Sequence, residues 1–308
     1  MVPSTVQTID SITAHDLFSK AACMTLSLRK IGFTRRCKAK ITSNADQTMF
    51  RITKSLIAGE EYHRIETLDN HIRRQLHRFD LPAKIGKGMA LVPASALFQL
   101  SALVEDFRNQ RAALIDAFIQ AYPTRKEEAR AKLMEQFKDD EYPTVQEIRD
   151  SFRFDTQFIA FDLPESLKAI DQTLAAQERE KLMEKFKTYS EEIRDGLRQL
   201  FKECLDRLRE KLTPDEHGNT KRLRNSAVVN LLNFLETFDG NNVSNDQEME
   251  KLVIQLRNTL HGITPTQLRR DDGFQSIVRT SLDSVRTQLD GLIVAKTPRR
   301  ILVSEDTD

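Results

Sequence analysis

The 308-residue chain contains no tryptophan, and it has only ten glycines and nine prolines. Because glycine and proline interrupt helices, their scarcity favours helices over a strand-rich sandwich. No apolar run approaches the roughly 18–20 residues that cross a bilayer. The N-terminus also lacks the basic and apolar segments of a signal peptide. We therefore expect a soluble protein of the cytoplasm.

Cysteine is scarce as well. Cys23, Cys37 and Cys204 are widely spaced, and they form neither a CxxC pair nor a metal-ligand pattern. Such a pattern is typical of a protein from a reducing compartment. The sequence therefore predicts free thiols and no cysteine-bound metal.

Histidine offers no metal site either. The chain has six histidines and no HExxH motif. His63, His71 and His77 fall on one predicted helix, but separations of eight and six residues do not place them on a single face. Neighbouring acidic residues, such as Glu60 and Glu61, are more simply explained as solvated helix ends than as a general acid and base. We expect no catalytic residues, no cofactor and no metal.

One loop has oxygen donors at nearly the spacing of a calcium loop, from Asp239 to Glu250. Val243 and Ser244 stand where that loop needs a ligand and a glycine. A capping box between Ser244 and Gln247 explains the same residues without a metal. We therefore predict a helix start there.

The charge is balanced overall but unevenly distributed. The net charge is +1, yet residues 1–90 hold 15 lysines and arginines against eight acidic residues. The rest of the chain holds 32 basic and 38 acidic residues. A basic N-terminal region is thus joined to a mildly acidic body.

The strongest helix signal covers residues 164–212, where no proline follows Pro164 and the only glycine is Gly196. Apolar residues recur there at spacings of three and four, which predicts a nearly straight helix on the order of 70 Å long. A stripe of this length needs a partner. We expect the helices predicted over 95–121 and 124–137, separated by Pro123, to supply it in an antiparallel hairpin. A second chain is the alternative partner.

Strand signals are few. Residues 24–31 alternate apolar and polar side chains, which is typical of a half-buried strand. Residues 34–41 favour a second strand, and the two would form a β-hairpin around Gly32. The aromatic segment 152–161 predicts one more short strand.

The predicted fold is therefore mainly α. It comprises the long antiparallel helical hairpin with coiled-coil-like packing, a small C-terminal helical module and a minor N-terminal β-hairpin. Helices are expected at about 45–58 and 61–78, and the stretch 82–93 is interpreted as a loop. The chain is predicted to divide into four segments. They are a basic N-terminal region (1–90), the hairpin (91–212), the C-terminal module (213–294) and a flexible tail (295–308).

Six basic residues fall within twelve positions that hold no acidic group, and Phe33 lies among them. A basic strand pair with an aromatic side chain suits a phosphate backbone or an acidic protein surface. A charged strand edge that discourages aggregation is the other interpretation. The six residues are Arg29, Lys30, Arg35, Arg36, Lys38 and Lys40.

The segment from Ser226 to Phe238, followed by Asn242-Val243 and Leu268-Arg269, together with the earlier Tyr142-Pro143 turn, resembles an uncharacterised family of phage, prophage and bacterial helical proteins. The resemblance extends over about residues 20–292. It implies no established activity and no functional residues. Similar proteins are encoded near AAA+ ATPases of the MoxR type and von Willebrand A-type proteins, which implies a partner role.

We therefore expect a non-enzymatic helical interaction or assembly protein, phage- or mobile-element-encoded, that acts through protein partners or self-association in the host cytoplasm. An AAA+ ATPase is the partner that the resemblance implies. The first alternative is a nucleic-acid-binding protein that uses the six basic residues. The second is an enzyme whose site the sequence does not reveal.

Overall fold

The computed structural model describes residues 17, 19–37, 49, 51–159, 172–213, 225–262 and 272–293. Within them the chain is mainly α-helical, as predicted, with a small antiparallel sheet near the N-terminus. No helix among them is long and apolar enough to cross a membrane. Their helices are α1 Glu60–Leu76, α2 Leu97–Leu133, α3 Val145–Ser151, α4 Gln172–Leu212, α5 Asn225–Asn241, α6 Gln247–Leu260 and α7 Asp272–Leu292. Their strands are β1 Ala21–Arg29, β2 Thr34–Arg36, β3 Thr53–Ser55, β4 Met89–Pro93 and β5 Arg153–Ile159.

The chain folds as two compact units. The helix-and-sheet unit comprises Ala21–Leu81 and Ile85–Asp162. The second unit comprises Met1–Lys20, Pro82–Lys84 and Leu163–Asp308, and we call it the all-helical unit because the elements described in it are all helices. The two long helices α2 and α4 belong to different units, and each packs against other helices of its own unit.

Strand β1 is the centre of a three-stranded antiparallel sheet in the order β4-β1-β5. Thr25 lies opposite Met89 of β4, and Leu28 lies opposite Phe154 of β5. The strand predicted at 24–31 is confirmed, but the hairpin around Gly32 is wrong. An apolar strand in the middle of a sheet needs two neighbours, and both come from distant parts of the chain.

Strand β2 pairs instead with β3 in a separate two-stranded ladder, with Arg35 opposite Lys54. The helix predicted at about 45–58 is therefore wrong where the structure describes it, since β3 lies inside that range. The loop predicted at 82–93 is also wrong in its second half, which is β4. In both segments pairing with a distant strand overrides the local signal.

Helices α1 and α2 cover one face of the three-stranded sheet. Ile72 and Leu76 of α1 pack with Leu100 and Val104 of α2 against sheet residues that include Met24. A second apolar cluster lies nearer the middle of α2 and contains Phe33, Leu56, Ile65, Phe118, Tyr122 and Ile148. The apolar positions recur every three or four residues along both helices, as helix burial requires.

Helix α2 continues without a break through Pro123 and ends at Leu133. The predicted interruption at Pro123 and the separate helix at 124–137 are therefore wrong. Pro123 is exposed, and having no N–H it leaves the Ile119 carbonyl without its usual helix partner. Next to it, Tyr122 is buried and donates a hydrogen bond to the Pro143 carbonyl at 2.7 Å, which anchors the turn.

Helix α4 is one uninterrupted rod over all the described residues of the predicted 164–212 helix. Its buried stripe includes Ile193, Leu197 and Phe201, and the Phe201 ring stacks on Phe234 of α5 with centroids 5.0 Å apart. The prediction that the helices over 95–137 pack on this stripe is wrong. The helices that pack against α4 are α5 and α7, which belong to the same unit.

Helix α7 runs antiparallel to α4, and a ladder of ion pairs fixes its register. Lys202 pairs with Asp290, Asp206 with Arg286, and Arg209 with Asp283. As the residue number rises along α4 it falls by equal steps along α7, which is the signature of antiparallel helices. The long antiparallel pair therefore forms within this unit, between α4 and α7.

The helix predicted to start at Ser244 starts two residues later. Asp246 is the N-cap of α6, and its side chain accepts a hydrogen bond from the Met249 backbone at 3.2 Å. Ser244 is buried. The predicted capping box between Ser244 and Gln247 is therefore wrong, because a carboxylate caps the helix better where an arginine, Arg198, balances its charge.

Candidate functional site

Arg29 and Lys30, the first two residues of the predicted basic cluster, stand at the end of β1. Arg29 is exposed and has no acidic partner among the residues that the structure describes. The Lys30 amine lies 2.8 Å from the Glu66 carboxylate and 5.5 Å from the centre of the Tyr62 ring. The charge of Lys30 is therefore largely balanced within the fold.

The next two members lie on β2 and point to opposite faces of its ladder. The Arg35 guanidinium folds back onto its own turn and donates to the Gly32 and Thr34 carbonyls at 2.8 and 3.1 Å. Arg36 is exposed and, within the described chain, unpaired. Lys38 and Lys40 lie outside the described residues. Two of the four placed cations, Arg29 and Arg36, thus have no acidic partner among the residues that the structure describes.

A cavity of about 420 Å³ lies beside this segment, lined by residues that include Lys30, Tyr62 and Glu66. The Tyr62 hydroxyl donates to the Ile31 carbonyl at 2.5 Å. Burial raises the pKa of Tyr62 to about 12, so this hydroxyl stays protonated at neutral pH. The polar groups of the cavity bond to one another, which does not favour a reactive centre.

A second cavity, of about 500 Å³, opens at the end of the three-stranded sheet; we call it the sheet-end hollow. Gly88, one of the residues that line it, adopts a φ of +74°. This conformation lets the chain turn, and the Met89 amide donates to the Gly86 carbonyl at 3.2 Å. Its lining comprises Met24, Leu26, Leu76, Met89, Ala90, Gly88, Arg73, Arg74, His77 and Asp80.

The sheet-end hollow has an apolar floor and a polar rim. Met24 and Leu76 are almost fully buried, whereas Met89 is 36% exposed. On the rim, Arg73 and Arg74 are exposed. His77 Nδ1 lies 2.6 Å from Asp80 Oδ2. Burial raises the pKa of Asp80, and the bond from His77 opposes that shift.

The sequence indicated only part of this hollow. Arg73 and Arg74 are recognisable as basic residues at the end of a predicted helix. Met89 could not be recognised, because its segment was interpreted as a loop. The alternation of Met89, Leu91 and Pro93 was the available signal, but it covers too few residues to identify a strand.

In the described part of the chain, no group of three or more histidine, cysteine, aspartate or glutamate side chains is arranged so that it could hold a metal ion. The ring of His71 lies against Phe107, with centroids 5.7 Å apart. In the calcium-like segment, Asp239 bonds Arg257 at 2.9 Å and Asp246 bonds Arg198 at 2.7 Å. These two carboxylates are thus held by arginines of the fold.

No protein-family model, curated protein or solved structure matches this chain.

Proposed function

We propose that this chain is a non-enzymatic interaction or assembly protein and that it binds a protein partner through the sheet-end hollow. The observation that supports this is an open apolar hollow beside a partly exposed Met89. Concave apolar surfaces rimmed by polar groups are where proteins receive ligands and partners. Methionine suits such a surface, because its flexible side chain adapts to the shape that docks.

The resemblance to phage, prophage and bacterial proteins adds a class of partner. An AAA+ ATPase of the MoxR type is the candidate that it implies, and origin in a phage or mobile element stays a prediction. The AAA+ partner and the phage origin are parts of the proposal that rest on the resemblance. The hollow is a feature of the structure and does not depend on the resemblance.

The test uses site-specific photo-crosslinking in the cell that naturally carries the chain. A photoreactive amino acid replaces Met89 in one variant and Gln120, exposed on α2, in the control. We expect position 89 to capture one discrete protein, whose complex with the purified chain then reforms and is weakened by Met89→Glu. Adducts that are the same at both positions, or none at position 89, would contradict the proposal.

Nucleic-acid binding is the second candidate, and the exposed Arg29 and Arg36 favour it. Contacts to a phosphate backbone make affinity fall steeply with salt. Fluorescence anisotropy with a short DNA, at low and high salt, is the measurement. Because Arg35 bonds its own turn, the informative variant is Arg29→Ala/Arg36→Ala. Salt-sensitive binding that this variant abolishes would support the candidate, and no binding at low salt would eliminate it.

A further inference from the structure

The rim of the sheet-end hollow carries positive charge that no carboxylate of the described residues balances. Arg73 and Arg74 both line the hollow, and neither pairs with a carboxylate among the described residues. Asp80 is the one acidic residue among the described residues of the lining, and it is bonded to His77 at 2.6 Å. A ligand that enters the hollow therefore meets two uncompensated guanidinium groups.

The floor offers a different kind of contact. Met24, Leu26 and Leu76 present only apolar atoms, and Met89 and Ala90 extend this surface to the opening. A volume of about 500 Å³ lies within the usual range of ligand pockets. The floor therefore suits an aliphatic or aromatic side chain, which gains free energy by leaving water there.

The position of the two arginines has a simpler explanation, but it is incomplete. Basic residues in the last turn of a helix interact favourably with the helix dipole, and Arg73 and Arg74 lie in the last turn of α1. That effect explains why cations stand at this end of α1. It does not explain why both of them border an apolar hollow.

The chemistry of the lining favours a protein over a nucleic acid. Proteins that hold single strands stack the bases on aromatic rings. Among the described residues that line the sheet-end hollow there is no phenylalanine or tyrosine. An apolar floor below two arginines instead complements a peptide that carries an apolar side chain beside carboxylates.

We propose that the sheet-end hollow receives an acidic segment of a protein partner, in which one apolar side chain enters the floor and flanking aspartates or glutamates bind Arg73 and Arg74. The inference rests on the proposed function and specifies the partner's docking segment. Arginine suits this role because its planar fork binds a carboxylate through two hydrogen bonds.

The experiment is a selection from a library of short random peptides displayed on phage, with the full-length chain immobilised. It is repeated with Arg73→Glu/Arg74→Glu, with Met89→Glu, and with Arg36→Glu as the matched control, a charge reversal at an exposed arginine outside the hollow. Circular dichroism and thermal melting establish that each variant is folded. If the double reversal unfolds the chain, Arg73→Gln/Arg74→Gln replaces it.

We expect the selected peptides to share an apolar residue flanked by aspartate or glutamate. The best peptide, synthesised and labelled, should bind at least about tenfold more weakly to the double reversal and to Met89→Glu. It should bind the Arg36→Glu control as it binds the parent chain. High salt should weaken the binding of this peptide to the parent chain, because the contacts at the rim are exposed to solvent.

Three outcomes would overturn the inference: no enrichment, selected peptides without acidic residues, or equal binding to the double reversal. A concentration-dependent dimer that Met89→Glu dissociates would also overturn it, because a second copy of the chain would then fill the hollow. If position 89 still captures a partner while the selected peptides are not acidic, the inference of an acidic docking segment is refuted and the proposed function stands. If position 89 captures nothing, the proposed function itself fails.

Discussion

At the residue scale, Arg111 of α2 holds together three parts of the helix-and-sheet unit. Arg111 is 2% exposed and its partner Asp69 is 1% exposed. Its guanidinium donates to the Asp69 carboxylate at 2.7 Å and to the Arg29 and Arg153 carbonyls at 2.9 and 3.3 Å. Since Arg29 and Arg153 are opposite each other in the β1–β5 ladder, one side chain ties α1 and α2 to the sheet.

We predict that Asp69→Asn destabilises the chain by about 3–5 kcal/mol, because it leaves the buried Arg111 charge without its counter-ion. Urea unfolding followed by circular dichroism measures the loss. The control is Arg64→Ala, which breaks the exposed pair with Glu60 and should cost below about 1 kcal/mol. Equal losses in the two variants would show that the buried pair has no special role.

Gly196 is a second residue whose size matters. A Cβ atom at Gly196 would lie 2.5 Å from Cβ of Pro82, within the all-helical unit. Alanine is the better helix former by about 1 kcal/mol, but crowding a rigid proline ring costs about 1–3 kcal/mol. The close approach therefore opposes the helix preference.

We predict that Gly196→Ala lowers the free energy of unfolding by about 1 kcal/mol, since the crowding exceeds the gain in helix propensity. The matched control is Gly291→Ala near the end of α7, where no atom lies within 4 Å of the added Cβ. It should be neutral or slightly stabilising. A stabilised Gly196→Ala chain would mean that Pro82 moves away without cost.

At the element scale, α2 shows that packing can keep a helix continuous through a proline. Pro123 removes one backbone hydrogen bond from the helix interior. Phe118, one turn earlier, is fully buried, and Tyr122 is 3% exposed. Because both side chains are fixed in the same apolar cluster, the helix direction is set on both sides of the proline.

We predict that Pro123→Ala raises the free energy of unfolding by about 2 kcal/mol. The helix regains the Ile119 bond, worth up to about 3 kcal/mol, while the unfolded chain gains about 0.4–1 kcal/mol of conformational freedom. Denaturant titration measures the difference. The control is Thr124→Ala, which should change the free energy of unfolding by at most about 0.5 kcal/mol. A loss of stability would indicate that the packing of Tyr122 depends on a bend at the proline.

At the scale of the whole molecule, carboxyl groups in both units acquire a lowered pKa on folding. The Arg125 hydrogen bond lowers the pKa of Glu61, the Thr144 backbone lowers that of Glu147, and a lysine hydrogen bond lowers that of Asp290. Such a group stabilises the fold above its unfolded pKa, about 4.3 for glutamate and 3.9 for aspartate. This stabilisation is lost as pH falls through the lowered pKa.

Asp80 acts in the opposite sense. Burial raises its pKa, so its contribution is present below the unfolded value and is lost as pH rises through the folded value. Of these four carboxyl groups three have a lowered pKa and one has a raised pKa, so we predict that together they cause a net loss of stability as pH falls below about 4. The urea midpoint measured from neutral to acidic pH checks this. Glu61→Gln should have a flatter profile than the parent chain, and parallel profiles would refute the role of Glu61.

Local pattern determined much of this molecule from the sequence. The period of three and four along α4 and the alternation in β1 depend on residues that are close in sequence, so they predicted a rod and a strand. The same reasoning located α1 and β5. It placed Arg73 and Arg74 of the hollow's rim on a predicted helix, and Met24 and Leu26 of its floor on a predicted strand. It did not place Met89 and Ala90 of β4.

Tertiary structure decided which elements meet. The partners of β1, the continuity of α2 at Pro123, the cap at Asp246 and the pairing of α4 with α7 all depend on segments far apart in the chain. Such contacts form where burial and charge pairing together outweigh a local preference, and a single sequence does not show which distant segment supplies them. The hollow belongs to this class, because its floor and rim come from β1, α1 and β4.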